Sequence, residues 1–442
     1  MNDIKQMVKR FMVQNHMDFE SIDIMKECEV FLDDMQGGLD GYPDCMDMLP
    51  TYIPMNDEIR INEPVIVMDA GGTNFRVAVV YFDSNRRPVI ENYASHPMPG
   101  IEEETSREEF LNAIVEYLKP VINRSNKIGL CFSYPTEILP SGDGRLIRFS
   151  KEIKVQDMTG RLIGAEILEA LRKAGYTEPK QIVLLNDTVA ALLGGKAAYG
   201  DRRYDSYVGF ILGTGTNTCY IEKTENIGKI HDKDKCFDTM LINMETGDYN
   251  RFPSGSFDLE FDRSTYNPGK AGFEKKTSGA YLGGLILVLL KNAAREELLS
   301  GAFLDSIQNA DSLSTIEVNR FLNKPYGENI LSNACSKKQG EGQRDRITLY
   351  YLIDSIVERA ARLIAVNLIS VVIKSGKGQD PCRPVCITAD GSTFYKLKGF
   401  RSKLEHYMKV YLVDKLNLYY EFVEADNANL TGTAIAALTR LS

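Results

Sequence analysis

Val65-Ile66-Val67-Met68-Asp69-Ala70-Gly71-Gly72-Thr73-Asn74-Phe75-Arg76-Val77-Ala78-Val79-Val80-Tyr81-Phe82 is the stretch on which the fold turns. Two apolar, β-branched runs flank a pair of glycines, the pattern of a tight hairpin. One acid, Asp69, closes the first strand. The glycines leave backbone N–H groups open to an approaching anion. The Thr73 hydroxyl and the Arg76 cation add a donor and a charge. Taken alone, these residues fit an ordinary glycine hairpin or a phosphate cradle.

A second segment echoes the first. Val208 to Glu222 again reads strand, glycine turn, strand, with Gly213-Thr214-Gly215 at the turn and Asn217 beyond it. The echo predicts a duplicated α/β domain with one phosphate hairpin per lobe. The second copy lacks the acid of the first, so the lobes are expected to share a fold and differ in task. Between the hairpins, Leu184-Leu185-Asn186-Asp187-Thr188-Val189-Ala190 runs from an apolar strand straight into a helix. Strand ends of this kind line the crevice of α/β sheets. Asp187 fits a plain N-cap or a general base that takes a proton from an attacking hydroxyl.

The rest of the chain bounds the reading. Its 442 residues suit two or three domains with a large core. The formal net charge is −9 with no Lys/Arg run, which disfavours a nucleic-acid partner. The N-terminus has no apolar core behind it, so no signal peptide is expected, and the run near Leu285–Leu290 is too short for a membrane span. The scattered cysteines suit a reduced cytoplasm, and Cys382 and Cys386 have no second ligand pair for zinc. His16, His96, His231 and His406 lie away from the glycine turns and read as loop or surface residues, so a carboxylate is the expected base. A P-loop is absent, and Gly213-Thr214-Gly215 fails the dinucleotide fingerprint because it opens a strand. Glu245 and Glu274 stand near glycine-containing turns; each fits a solvated surface acid or one member of a polyol-binding set.

Coarser expectations concern the elements. Ile22–Met35 is predicted helical with Gly37-Gly38 as its stop, and Leu49-Pro50-Thr51-Tyr52 as an extended linker. Ser106 and Glu109 predict a capping box. Thr159 is expected to cap a helix through Ala174, and Ser278–Leu299 and Arg346–Lys374 are expected to be helices. Strands are expected at Ile128–Phe132, Gln181–Leu185, Pro384–Ala389 and Leu418–Glu424, and a closing helix at Thr431–Leu441.

At this point the residues resemble a family. The chain is similar to the eukaryotic-type hexokinases and glucokinases of the actin-like ATPase superfamily. The first phosphate motif matches at Asp69, Gly71, Gly72, Thr73, Asn74, Phe75 and Arg76. The sugar motif matches at Phe132-Ser133-Tyr134-Pro135, Gly144-Arg145-Leu146-Ile147 and Ser150-Lys151. The catalytic motif matches at Asn186 to Ala190, and the second phosphate motif at Gly213 to Asn217. The acid motifs match at Asn243-Met244-Glu245 and from Asn267 to Lys275. Ser278–Gly283, Asp390-Gly391-Ser392, Tyr395-Lys396-Leu397 and Met48–Tyr52 also fit. The ordered set covers most of the chain, which makes it specific.

The resemblance implies an α/β, two-lobed, duplicated ribonuclease H-like fold with a cleft between the lobes. The small lobe would comprise 64–186 plus 427–442, and the large lobe 1–63 plus 187–426. It implies an ATP-dependent hexokinase acting on the 6-hydroxyl of glucose and related hexoses. Ser133, Ser150, Lys151, Asn186, Asp187, Asn217, Glu245 and Glu274 would hold the hexose. Asp187 would be the general base, with Lys151 and Arg76 assisting catalysis. Asp69, Gly71, Gly72, Thr73, Asn74, Arg76, Gly213, Thr214 and Gly215 would hold Mg-ATP, with Asp69 reaching Mg²⁺ through water. Gly391 and Ser392 would lie near the nucleotide. Departures gather at the sugar loops: Tyr134 and Thr136 for the usual Phe and Cys, Ser150 for threonine, and Phe149 and Thr246 for tryptophan. Ala271 stands where an amide is common, and Asn427–Gly432 replaces a more glycine-rich turn. These leave a kinase for fructose, mannose or an amino sugar, or a non-catalytic sugar sensor, as alternatives.

Overall fold

The computed structural model describes residues 2–55, 59–149, 153–199, 202–231, 234–235 and 237–441. The opening hairpin forms β2 (Val65–Gly71) and β3 (Asn74–Phe82), after a short β1 (Leu49–Pro50). Their register pairs Gly71 with Asn74, so the turn itself is Gly72-Thr73. β4 (Pro88–Pro97), β5 (Lys127–Phe132) and β8 (Gln181–Leu185) complete a five-stranded sheet in the order β4-β3-β2-β5-β8. β4, β3 and β2 are antiparallel neighbours, whereas β2-β5 and β5-β8 are parallel. β6 (Thr136–Ile138) and β7 (Gly144–Leu146) form a small ribbon beside this sheet.

The second half repeats this topology. β9 (Ser206–Leu212), β10 (Thr216–Lys223), β11 (Thr239–Asn243), β12 (Val385–Asp390) and β13 (Tyr420–Val423) pair in the order β11-β10-β9-β12-β13. Again the first three are antiparallel and the last two pairings parallel. The duplication predicted from two glycine hairpins is therefore present as two sheets of the same strand order and sense. β1 extends the second sheet by pairing with β11. The predicted linker at Leu49–Tyr52 is thus partly an edge strand, held further by Thr51 N–H and Oγ on the Leu241 carbonyl.

Side-chain alternation sorts the first sheet into two faces. Ile66, Met68, Ile128 and Leu130 pack with residues of the helices Arg107–Leu118 and Ile163–Lys173. Val65, Val67, Cys131, Val183 and Leu185 pack with the helices Asp187–Ala198 and Ala428–Arg440, and Cys219 and Leu241 of the second sheet join them. That cluster is the junction of the two halves. The two helices approach so closely there that a Cβ on Gly432 would lie 1.9 Å from the Ala190 carbonyl oxygen. The largest cluster surrounds the second sheet and the long helix Gln339–Ser375.

Several boundaries differ from expectation for identifiable reasons. The helix predicted to stop at Gly37-Gly38 runs on from Ile24 to Asp40, and the left-handed stop is Gly41 at φ +86°. The two earlier glycines remain helical and let Cys45 and Met46 pack against the backbone. Thr159 caps nothing. The helix begins at Ile163, and its free N–H groups at Gly164 and Ala165 are taken by the Asp143 carboxylate at 2.7 and 2.9 Å. A cap supplied from 21 and 22 residues away leaves no local pattern. The segment Ser278–Leu299 is helical only over Leu282–Arg295, and the long helix starts earlier than predicted, at Gln339. The Ser106/Glu109 capping box is present.

Candidate active site

Asp69 and Asp187 meet because the pairing dictates it. Asp69 pairs with Cys131, and Cys131 with Leu185, along the carboxyl ends of parallel strands. Asp187 follows Leu185 by two residues and opens the next helix. Asn186, not Asp187, is the N-cap: its Oδ1 accepts the Thr188 N–H at 2.9 Å. The plain N-cap role therefore falls to Asn186, and the Asp187 carboxylate is available to the crevice. The Thr188 hydroxyl donates to its Oδ1 at 3.3 Å. Burial, with the Asp69 charge nearby, pushes the Asp187 carboxyl up to about 6, against the hydrogen bonds from Ser133 and Thr188.

Asp69 is 1% exposed and accepts from Arg76 Nη1 at 2.8 Å through Oδ2. Its Oδ1 is buried without a hydrogen-bond partner. Burial raises its pKa, and Arg76 opposes the rise. Arg76 is thus engaged with the acid, and over a third of its side chain faces solvent. The turn residues Gly72, Thr73 and Asn74 are exposed, and Asn74 Nδ2 donates to Thr73 Oγ1 at 3.2 Å. Gly72 sits at φ +58°, a conformation that glycine adopts without penalty. A Cβ on Gly71 would lie 3.4 Å from Asp69 Oδ1 and 3.6 Å from Ser133 Oγ, which places Ser133 at the hairpin's end.

The polar residues of the opposite wall form a relay. Asn217 Nδ2 donates to Asn186 Oδ1 at 3.4 Å and to Asn243 Oδ1 at 2.8 Å, and Asn243 Nδ2 donates to Glu245 Oε1 at 2.6 Å. Asn217 Oδ1 in turn accepts the N–H groups of Thr218 and Thr246. Backbone donors fix the Asn217 end of this chain and the Glu245 carboxylate fixes the Asn243 end, so the two amides hold each other in one orientation. Asn243, the middle member, belonged to the acid motif without a role of its own. Glu245 holds a left-handed backbone at φ 56°, a strained state for a non-glycine residue that is common at functional sites. Burial pushes Glu245 up to about 7, opposed by Asn243 and reinforced by Asp187. A cavity bounded by Leu49, Thr51, Phe132, Tyr134, Asn186, Asn243 and Glu245 lies between the two halves.

Glu274 joins this wall to the second hairpin. A Cβ on Gly215 would come within 2.6 Å of Glu274 Oε1, and one on Gly247 within 3.1 Å of Oε2. Burial, with Asp248 and Glu245 adding repulsion, brings its carboxyl to about 7. Gly213 lies where three segments converge: its carbonyl accepts from Gly279 N–H and Thr393 Oγ1, each at 2.8 Å. Gly391 at φ +111° packs on it so tightly that a Cβ would meet the Leu212 carbonyl at 2.4 Å. Thr214 and Ser392 remain exposed beside them. Thr393 was missed because its role depends on β9 and β12 being neighbours, which no local pattern announces. Ser150 and Lys151 lie outside the described residues.

Residues 7–197 match one hexokinase family model and 207–439 match a second, both described as hexokinase. The chain belongs to the hexokinase family. As a hexokinase it is a sugar kinase, a phosphotransferase with an alcohol group as acceptor and ATP as co-substrate. It is 30% identical to Glucokinase-1 of Kluyveromyces lactis over 425 residues, covering 86% of each chain. Hexokinase-1 of Schizosaccharomyces pombe is 26% identical, over 92% of this chain and 85% of that one. A hexokinase from Schistosoma mansoni, solved with glucose, has the same fold at TM-score 0.73 and 20% identity, covering 98% of this chain and 99% of that one. The matches run across both sheets, so the two-lobed α/β fold expected of a hexokinase is the one observed. Where this hexokinase departs from the family's usual tryptophan, Phe149 packs edge-on against Phe132, Tyr134 and Phe110.

Proposed function

We propose that this hexokinase transfers the γ-phosphoryl group of Mg-ATP to the 6-hydroxyl of glucose, with Asp187 as general base. The observation that carries this reading is the Asp187 carboxylate, uncommitted as a cap and brought by burial to about 6. That value leaves it ionised near neutral pH, yet basic enough to accept a proton as the hydroxyl attacks. Ser133, Asn186, Asn217, Glu245 and Glu274, with Ser150 and Lys151, would hold the sugar. A polyol needs convergent acceptors and donors, and the amide relay supplies both. Gly71 to Asn74, Arg76 and Gly213 to Gly215 would receive the phosphates, with Gly391 and Ser392 beside the nucleotide.

Magnesium fits this site. Asp69 Oδ1, buried without a hydrogen-bond partner, is an acceptor suited to a metal-bound water. When bound, the ion neutralises charge on the phosphates. The remaining work belongs to the chain: Asp187 holds the hydroxyl in line and takes its proton, and the relay fixes the sugar's orientation.

The two sheets would form lobes of 64–186 plus 427–442 and of 1–63 plus 187–426, closing on the hexose to exclude water. The packing of the helix Ala428–Arg440 on the first sheet supports the placement of the last residues in the small lobe. The reading also places the enzyme in the cytoplasm with no nucleic-acid or membrane partner. Its acidic charge and the free state of every described cysteine support this. In the test, Asp187→Ala should keep glucose binding within a fewfold and lose at least a hundredfold in turnover. Turnover within a fewfold of the wild type would remove Asp187 from the mechanism.

A further inference from the structure

The Gly72-Thr73 turn faces a problem common to every anion-binding loop: its amides must point at the phosphate and its carbonyls must not. In a trans peptide the two groups of one plane point in opposite directions. Fixing the Gly72 carbonyl therefore fixes the Thr73 N–H. The structure shows what holds that carbonyl. The Tyr134 hydroxyl donates to Gly72 O at 3.0 Å. On the other side of the turn, the Met98 N–H holds the Thr73 carbonyl, also at 3.0 Å. Both carbonyls of the turn are thus tied back into protein.

Tyr134 is well built for this. The residue is 4% exposed, and its ring lies 5.0 Å from Phe132 and 5.3 Å from Phe149, centroid to centroid. It follows Ser133 directly and borders the cavity that also contacts Asn186, Asn243 and Glu245. One side chain therefore spans from the wall of the sugar cavity to the phosphate turn. The hydroxyl is the part that matters, and it is absent from the phenylalanine usual in this family.

We propose that Tyr134 is a positioning residue that aims the Thr73 amide at the nucleotide phosphates and couples sugar-loop order to nucleotide binding. The proposal rests on the reading of the Asp69 hairpin as the phosphate site. Tyr134→Phe removes the hydrogen bond to the Gly72 carbonyl and keeps the packed ring, so the fold is retained, which a thermal melt checks. With Mg²⁺ and saturating glucose, the variant's affinity for a non-hydrolysable ATP analogue should fall about fivefold, the worth of one neutral hydrogen bond. KM for ATP should rise by the same factor, while the glucose dissociation constant stays within twofold. The factor by which glucose tightens analogue binding should also shrink toward one. An unchanged analogue affinity, or an equal loss for glucose and analogue, overturns the proposal. A wild-type chain that binds no analogue, or whose analogue affinity ignores glucose, overturns it too; the former outcome also removes the phosphate-site reading.

Discussion

Replacing Asp187 by asparagine should make the protein inactive and, at neutral pH, more stable. The folded state raises the Asp187 pKa from 3.8 to about 6, chiefly by burial. A carboxyl raised in this way contributes its full share of stability below the unfolded value and loses it as pH rises through about 6. The shift of roughly two units amounts to about 3 kcal/mol in all, about 2 kcal/mol of it between pH 4.5 and 7.5. Asparagine does not titrate. The stability of Asp187→Asn relative to the wild type should therefore grow by about 2 kcal/mol from pH 4.5 to 7.5. Removing the charge also eases ionisation of Glu245, which Asp187 pushes upward, so the increment acts in the same direction. Urea titrations of both proteins at the two pH values, without sugar or nucleotide, measure this difference, and any constant packing effect cancels. The same group predicts wild-type kcat/KM falling as pH drops through about 6. An equal stability difference at both pH values would mean that Asp187 carries no burial penalty to release.

Two further outcomes follow from the geometry. Asn243→Ala leaves Asn217 Nδ2 and Glu245 Oε1 without the partners they have at 2.8 and 2.6 Å, so KM for the sugar should rise at least tenfold while KM for ATP changes little; equal changes in both constants would deny the relay its place in the sugar site. Gly432→Ala forces a methyl to 1.9 Å from the Ala190 carbonyl at the helix junction and should cost about 1–3 kcal/mol, read as a lower melting temperature; an unchanged melt would mean the helices separate freely.

The sequence made the two hairpins legible because each combines a period-2 apolar run with a glycine turn, and both survive as β2-β3 and β9-β10. Asp187 was legible as an acid where a buried strand gives way to a helix, although only the structure shows that Asn186 takes the capping duty. What escaped was non-local. The Asp143 cap reaches across to Gly164, the Leu49-Pro50 strand pairs with a segment far along the chain, and Thr393 meets Gly213 only once β12 lies beside β9. Asn243 was visible as a motif letter, but its task depends on facing Asn217 across β10 and β11. The glycines at 37 and 38 misled because glycine serves close packing as well as helix termination.

A cleft that phosphorylates a hexose with ATP must release ADP whenever the sugar is present. The most direct measurement is ADP release by the wild-type chain across a panel of glucose, fructose, mannose and glucosamine with Mg-ATP. Release should depend on the sugar, be strongest with glucose, and be small with water alone. Thermal stabilisation by a sugar without ADP release from any member of the panel would contradict this and leave a sugar-binding protein in place of a kinase.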